Sequence, residues 1–92
     1  MKRRLAITAE AQRDLLSIRD HIAGDNPTRA ETYLDELIAR CEHIVDFPFA
    51  APANLRNHGN WRAIPYGAYM IFYSVTDRLV RIRAVKHSAI LK

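Results

Sequence analysis

Apolar residues recur along this chain with two different periods, and the switch between them separates a helical stretch from a strand-forming one. The opening run Arg4-Leu5-Ala6-Ile7-Thr8 alternates Leu5 and Ile7 with smaller or polar neighbours, as a short strand does. Thr8 then offers a helix cap, and Glu10 in the first turn suits the helix dipole. Ala11, Leu15, Ile18 and Ile22 follow at spacings of four, three and four, one apolar stripe that Gly24-Asp25-Asn26-Pro27 ends. The second stripe is longer: Ala30, Tyr33, Leu34, Leu37, Ile38, Cys41, Ile44 and Val45 keep helical spacing until Phe47-Pro48 stops it. Its start has two readings. Asn26 caps with Pro27 at the first helical position, or Thr28 and Glu31 form a capping box one residue later.

Beyond a loop bearing proline and asparagine, from Phe49 to Asn60, the period drops to that of strands. Trp61-Arg62-Ala63-Ile64 leads through Pro65-Tyr66-Gly67 into the run Ala68 to Val75, and Thr76-Asp77-Arg78 turns into the run Leu79 to His87. The middle run is almost continuously apolar and aromatic, the pattern of a central strand covered on both faces. In the last, alternation sends Val80, Ile82 and Ala84 one way and Arg81, Arg83 and Val85 the other. The predicted class is α+β: an N-terminal strand, an antiparallel helix hairpin, then a three-stranded antiparallel sheet, as a single domain over residues 1–92. One sheet face packs on the helices, and the other is expected to carry arginines and tyrosines.

About half of the residues are hydrophobic, so a modest core forms without disulfides, which a lone Cys41 excludes within the chain. That cysteine usage suits a reducing compartment, and a cytoplasmic location is expected. No apolar run approaches the ~18 residues of a membrane span, and the basic start Met1-Lys2-Arg3-Arg4 leads into no signal-peptide pattern. Charge is unevenly spread. Met1 to Phe47 holds seven Lys/Arg and nine Asp/Glu, a net −2, while Pro48 to Lys92 holds seven Lys/Arg and only Asp77, a net +6. A basic half of this size points to an acidic partner, nucleic acid or an acidic protein segment. The alternative is that basic side chains at strand edges deter aggregation.

Enzyme chemistry is sparse. His21, His43, His58 and His87 lack zinc-site spacing, so no metal and no cofactor is expected. Gly24, Gly59 and Gly67 stand alone, so there is no phosphate-cradling loop. Cys41 falls on the core stripe, where a thiol is structural, and Asp14 and Asp20 read as a solvated helix face or as members of helix-surface ion pairs. What remains is a basic and aromatic set from the sheet: Arg62, Tyr69, Tyr73, Arg81, Arg83, Lys86 and His87. Arginine binds carboxylate or phosphate bidentately, tyrosine stacks on bases or anchors a peptide, and histidine serves as acid or base near neutrality. Against this, one of Tyr69 and Tyr73 fits equally well in the core, and Arg62 fits a packing pair with Trp61.

In order and spacing these segments resemble the RelE/ParE toxins of type II toxin–antitoxin systems, and within them the ParE branch. The resemblance rests on Ala11-Gln12-Arg13-Asp14-Leu15, on Asn26-Pro27 followed by Ala30, on Phe47-Pro48, and on Val85-Lys86-His87. Its most specific piece is Trp61-Arg62-Ala63-Ile64-Pro65 followed by Tyr69-Met70-Ile71-Phe72-Tyr73. The resemblance implies a toxin neutralised by a cognate antitoxin with an acidic or disordered tail. In the ParE branch it implies DNA gyrase as the target and arrest of growth; in the RelE branch, cleavage of mRNA on the ribosome, with Arg83 and His87 as the residues available here. RelE-type nucleases carry an arginine after the central-strand tyrosine, where Met70 stands, and lysines in the preceding loop, where residues 47–68 hold only Arg56 and Arg62. ParE-like chains carry an arginine where Ala84 stands and often another where Ile90 stands. The reading is therefore a toxin that binds its target without cutting it. The alternatives are the mRNA endonuclease and a non-toxic basic RNA-binding domain.

Overall fold

A computed structural model of the chain describes residues 2–51 and 60–91, and the side chains of Ile90 and Leu91 fall outside that description, as do Arg56, His58 and most of the loop between helices and sheet. The first strand, β1, runs Arg4–Ile7, and Leu5 and Ile7 turn toward the core as their alternation requires. Helix α1, Ala9–Ala23, starts where Thr8 Oγ1 accepts the Ala11 N–H at 3.3 Å. The same hydroxyl donates to the Ile82 carbonyl at 2.9 Å, so the cap also ties this corner to the far end of the sequence. Ala11, Leu15 and Ile18 are buried, and Ile22 packs against them at partial exposure.

Helix α2 spans Pro27–Asp46. Of the two possible starts the asparagine cap is realised: Asn26 has extended backbone, its Oδ1 accepts the Arg29 N–H at 3.0 Å, and Thr28 lies inside the helix. Ala30, Leu37, Cys41, Ile44 and Val45 are buried along the inner face. Phe47 terminates the helix with a non-helical backbone, and Pro48 follows it.

The remaining strands are β2 (Arg62–Tyr66), β3 (Tyr69–Val75) and β4 (Leu79–His87), followed by a 3-10 turn over Ser88–Leu91. Sheet order is β1-β4-β3-β2. β2, β3 and β4 are antiparallel as expected, and the N-terminal strand β1 joins the other edge parallel to β4, pairing Leu5 with Val80 and Ile7 with Ile82. A parallel pair needs a long crossover, and everything between residues 8 and 78 serves as one. Pro65 is tolerated within β2 because that strand is an edge. The core lies between sheet and hairpin, with Tyr73, Leu37, Ile71, Ile82, Val80 and Cys41 its largest fully buried side chains.

Gly67 makes the β2–β3 turn with φ +57°, and a Cβ there would stand 2.5 Å from the Tyr33 hydroxyl. That hydroxyl is held at the turn, donating to the Tyr66 carbonyl at 3.3 Å. Gly67→Ala is therefore expected to cost about 2 kcal/mol, combining left-handed backbone strain with displacement of Tyr33. A urea midpoint unchanged from wild type would refute this account of the turn.

In β4 the alternation read from the sequence breaks. Phe72 pairs with Ala84 but Tyr73 pairs with Ile82, which leaves Arg83 as an extra residue, a β-bulge. Val80 and Ile82 face the helices as expected, yet it is Val85 that joins them in the core, not Ala84. Ala84 instead shares the opposite face with Phe72 and the two arginines. One inserted residue flips every side chain after it.

Candidate interaction surface

The two tyrosines do not line a surface. Tyr69, Ile71 and Tyr73 all turn toward the helices, leaving Tyr69 9% and Tyr73 1% exposed. Tyr73 donates its hydroxyl to the Pro48 carbonyl at 2.9 Å, and burial pushes its pKa above the usual tyrosine value. Tyr69 packs between Tyr33, at 6.0 Å, and the edge of His87, at 5.2 Å. Both belong to the helix-facing layer, which corrects the expectation that tyrosines decorate the open face. Central-strand side chains are covered on this side whatever their polarity.

Arg62 pairs in register with Tyr73 and so leans to the helix side. Its guanidinium donates to the Ala51 carbonyl and lies 4.9 Å from the Phe49 ring, which Arg3 also approaches, at 5.2 Å. It is not the packing partner of Trp61. That indole lies under Arg83, whose guanidinium carbon is 5.4 Å from its ring centre.

Arg81 and Arg83 occupy the face without helices. Arg83 Nε donates to Ser74 Oγ at 3.0 Å, and Arg81 stands opposite Ser74 in register. The Trp61–Arg83 contact bridges from beside β2 to β4 and must pass over β3, whose side chains there are Phe72 and Ser74. Both are nearly buried although no helix covers them. Ala84, where an arginine was expected by resemblance, is also buried on this face.

Lys86 is spoken for. Its Nζ sits 3.0 Å from Asp14 Oδ1 and 3.5 Å from Glu10 Oε2, and its pKa is raised, chiefly by the hydrogen bond to Asp14. The other Asp14 oxygen accepts the Val85 N–H at 2.9 Å. β1 ends at Ile7, opposite Ile82, so the rest of the β4 edge lacks a strand neighbour, and Asp14 supplies the acceptor. Read as a solvated helix face from the sequence, Asp14 is instead the bolt between α1 and β4. No local signal marks it, because its partners lie 71 and 72 residues away.

His87 is exposed, and its Nδ1 accepts the Ala89 N–H at 3.1 Å. It flanks an open cleft of about 450 Å³ between α1 and the sheet, together with Asp14, Ser17, His21, Tyr69 and Lys86. In register with Tyr69 it belongs to the helix side of the sheet, whereas Arg83 belongs to the other. Regular alternation would have put residues 83 and 87 on one face; the bulge separates them.

A second network escaped the sequence reading. Glu36 of α2 accepts from Arg29 at 2.6 Å and from the Tyr66 hydroxyl at 2.7 Å, joining α2 to β2. The Arg29 hydrogen bond, then that of Tyr66, holds the Glu36 pKa below the usual carboxylate value. Cys41 is buried in the core, and its thiol is pushed up to about 11, mainly by that burial, which suppresses the reactive thiolate. Among the described residues, no group of three or more His, Cys, Asp or Glu is placed to hold a metal ion, and no helix is long and apolar enough to cross a membrane.

The same architecture recurs in solved structures at low sequence identity, which speaks for the fold alone. A chain of the chromosomal ParDE toxin–antitoxin system from P. aeruginosa superposes with a TM-score of 0.80 at 15% identity, over 94% of this chain and 96% of that one. A chain of the RelBE2 toxin–antitoxin complex from Mycobacterium tuberculosis gives 0.72 at 19% identity, over 95% and 99%. YafQ from E. coli gives 0.61 at 14% identity, over 98% of each chain. No curated protein matches in sequence. The family model described as the ParE toxin of the type II toxin–antitoxin system parDE matches residues 5–91. The match takes in both helices and all four strands but for Arg4, and the chain belongs to the ParE toxin family of the RelE/ParE superfamily.

Proposed function

We propose that this toxin arrests growth in the cytoplasm by binding a protein target, DNA gyrase, without cutting nucleic acid, and that a cognate antitoxin neutralises it. The observation that carries the reading is the division of its basic residues by the bulged sheet. A phosphoryl-transfer centre needs fixed positive charge and an acid or base converging on one phosphate. Here Arg83 and His87 lie on opposite sides of the sheet, Lys86 is bound by two carboxylates, and Arg62 is bound to the Ala51 carbonyl. Lys86 and His87 line one cleft, but the lysine there is already held by two carboxylates, and neither Arg62 nor Arg83 is among the residues lining it. Membership of the ParE family supports gyrase over the ribosome, and the toxin–antitoxin systems named for the P. aeruginosa and M. tuberculosis structures support an antitoxin partner.

Induced expression in a bacterial host, with DNA and protein synthesis followed separately by labelled precursors, tests the reading. DNA synthesis is expected to stop first while translation continues. Earlier collapse of protein synthesis would overturn it in favour of an mRNA endonuclease, and harmless expression together with tight RNA binding would favour a basic RNA-binding domain.

A further inference from the structure

Phe47 and Phe49 are 58% and 57% exposed, although the segment that carries them is tied down. The Pro48 carbonyl accepts the Tyr73 hydroxyl at 2.9 Å, the Ala51 carbonyl accepts the Arg62 guanidinium, and the Ala50 N–H donates to the Phe47 carbonyl at 3.2 Å. The two rings are thus held out from the surface by a fixed backbone. Arg3 and Arg62 lie against Phe49, 5.2 Å and 4.9 Å from its ring centre, and His43 tilts against Phe47 at 5.0 Å.

Distant parts of the chain bring further cations to this end of the molecule. Arg3 Nε donates to the Thr76 carbonyl at 2.7 Å, and the Arg4 N–H to the Arg78 carbonyl at 2.9 Å, so the exposed Arg4 and Arg78 stand beside the stacked pair. Asp46, at the close of α2, is held by Lys2 at 3.0 Å. Among the described residues no carboxylate pairs with Arg3, Arg4, Arg62 or Arg78, and the β3–β4 turn sets only Asp77 against these four.

We propose that this end of the molecule, centred on Phe47 and Phe49, binds single-stranded nucleic acid without regard to sequence. Unstacked bases lie on the two rings, and the arginines around them hold the phosphates. The rings and the guanidinia on Phe49 are ordered before the ligand arrives, which lowers the entropy lost on binding. A duplex keeps its bases stacked on one another and cannot offer them to the rings. An acidic protein segment is the other ligand that four arginines attract, but its aliphatic side chains fit hollows, whereas these rings project as flat π faces.

The test is fluorescence anisotropy of a labelled short oligothymidine, and separately of an oligouridine, titrated with the full chain at low salt. Both are expected to bind, and the tighter of the two names the source, DNA or RNA. Phe47→Ala and Phe49→Ala are each expected to raise Kd about tenfold, the loss of one base–ring stack. Arg4→Gln and Arg78→Gln should each flatten the plot of log Kd against log salt by about 0.7, the share of one phosphate contact on a single strand. Arg13→Gln, on the exposed side of α1, should change neither quantity. Far-UV spectra and melting curves separate lost binding from lost fold, and Phe47→Ala keeps the test decisive where Phe49→Ala loosens the segment. Absence of binding to both strands, unchanged Kd in both phenylalanine variants, or equal loss in Arg13→Gln would each overturn the proposal. So would equal affinity for a duplex of the same length, or tighter binding of a short aspartate–leucine peptide. The precursor-labelling assay stands apart: arrest of DNA synthesis with no oligonucleotide binding would remove this surface and leave the proposed function.

Discussion

Leu37→Asp is expected to yield a chain with no cooperative unfolding transition. Leu37 sits midway along α2, fully buried among the side chains that α1 and the sheet direct inward. An ionised carboxylate there has no cation within the core, and its desolvation exceeds the roughly 5–15 kcal/mol that a small domain has in total. Leu37→Ala keeps the site apolar and should cost about 2–5 kcal/mol, leaving a weakened but two-state protein. The pair is informative because helix propensity is similar for leucine and alanine, so the alanine loss reports packing and the extra aspartate loss reports charge burial. Urea titrations followed by circular dichroism make the comparison. A soluble Leu37→Asp protein that still melts cooperatively would mean that this face of α2 is not the buried one.

Asp14→Ala is the second large effect. It leaves the Val85 N–H on an unprotected strand edge and takes from Lys86 its nearest carboxylate, so a loss of about 2–3 kcal/mol is expected. Asp14→Asn retains an acceptor for Val85 but loses the ion pair, and should fall between alanine and wild type. The two variants also differ from wild type in pH dependence. The pKa of Lys86 is raised in the folded state, mainly by Asp14. Its contribution is therefore fully present below the unfolded lysine value, near ~10.4, and is lost as pH rises through the higher folded value. Wild type should shed its advantage over Asp14→Asn above about pH 10.4 and keep it at neutrality. Equal stability of wild type and Asp14→Ala at pH 7 would show that water replaces the carboxylate at no cost.

The helices were legible because their evidence is local. The stripe from Ala30 to Val45, the caps at Thr8 and Asn26, and the stop at Phe47-Pro48 each depend on residues within a turn or two of one another. The strands were legible for the same reason. What escaped was every relation between distant segments: β1 alongside β4, Asp14 against Val85, Glu36 against Tyr66. The bulge is the plainest case. Arg81-Ile82-Arg83-Ala84-Val85 alternates without a flaw as written, and nothing in its composition marks Arg83 as the residue that drops out of register. The site reading inherited that gap. It grouped residues by strand period, and the sheet regrouped them by face: Arg81 with Arg83, Lys86 with Asp14, His87 with Tyr69. In β3 alternation puts Tyr69 and Tyr73 on one face, but a strand covered on both faces gives no sign of which face that is.

The position of β4 has a bearing on how the molecule comes into being. This strand is flanked by β1, from the very start of the described chain, and by β3, and it is the last of the sheet to be synthesised. A nascent chain emerging from the ribosome can form the helix hairpin early, since that hairpin is local. β1, however, has no partner until residues 79–82 appear, and its apolar positions wait uncovered in the meantime. Birth of the sheet and birth of the Arg81–Arg83 face are thus one event, which cannot precede the synthesis of β4. Until that moment β1 lacks the neighbour that covers it, and a protein that captured β1 or the hairpin first would keep the sheet from closing.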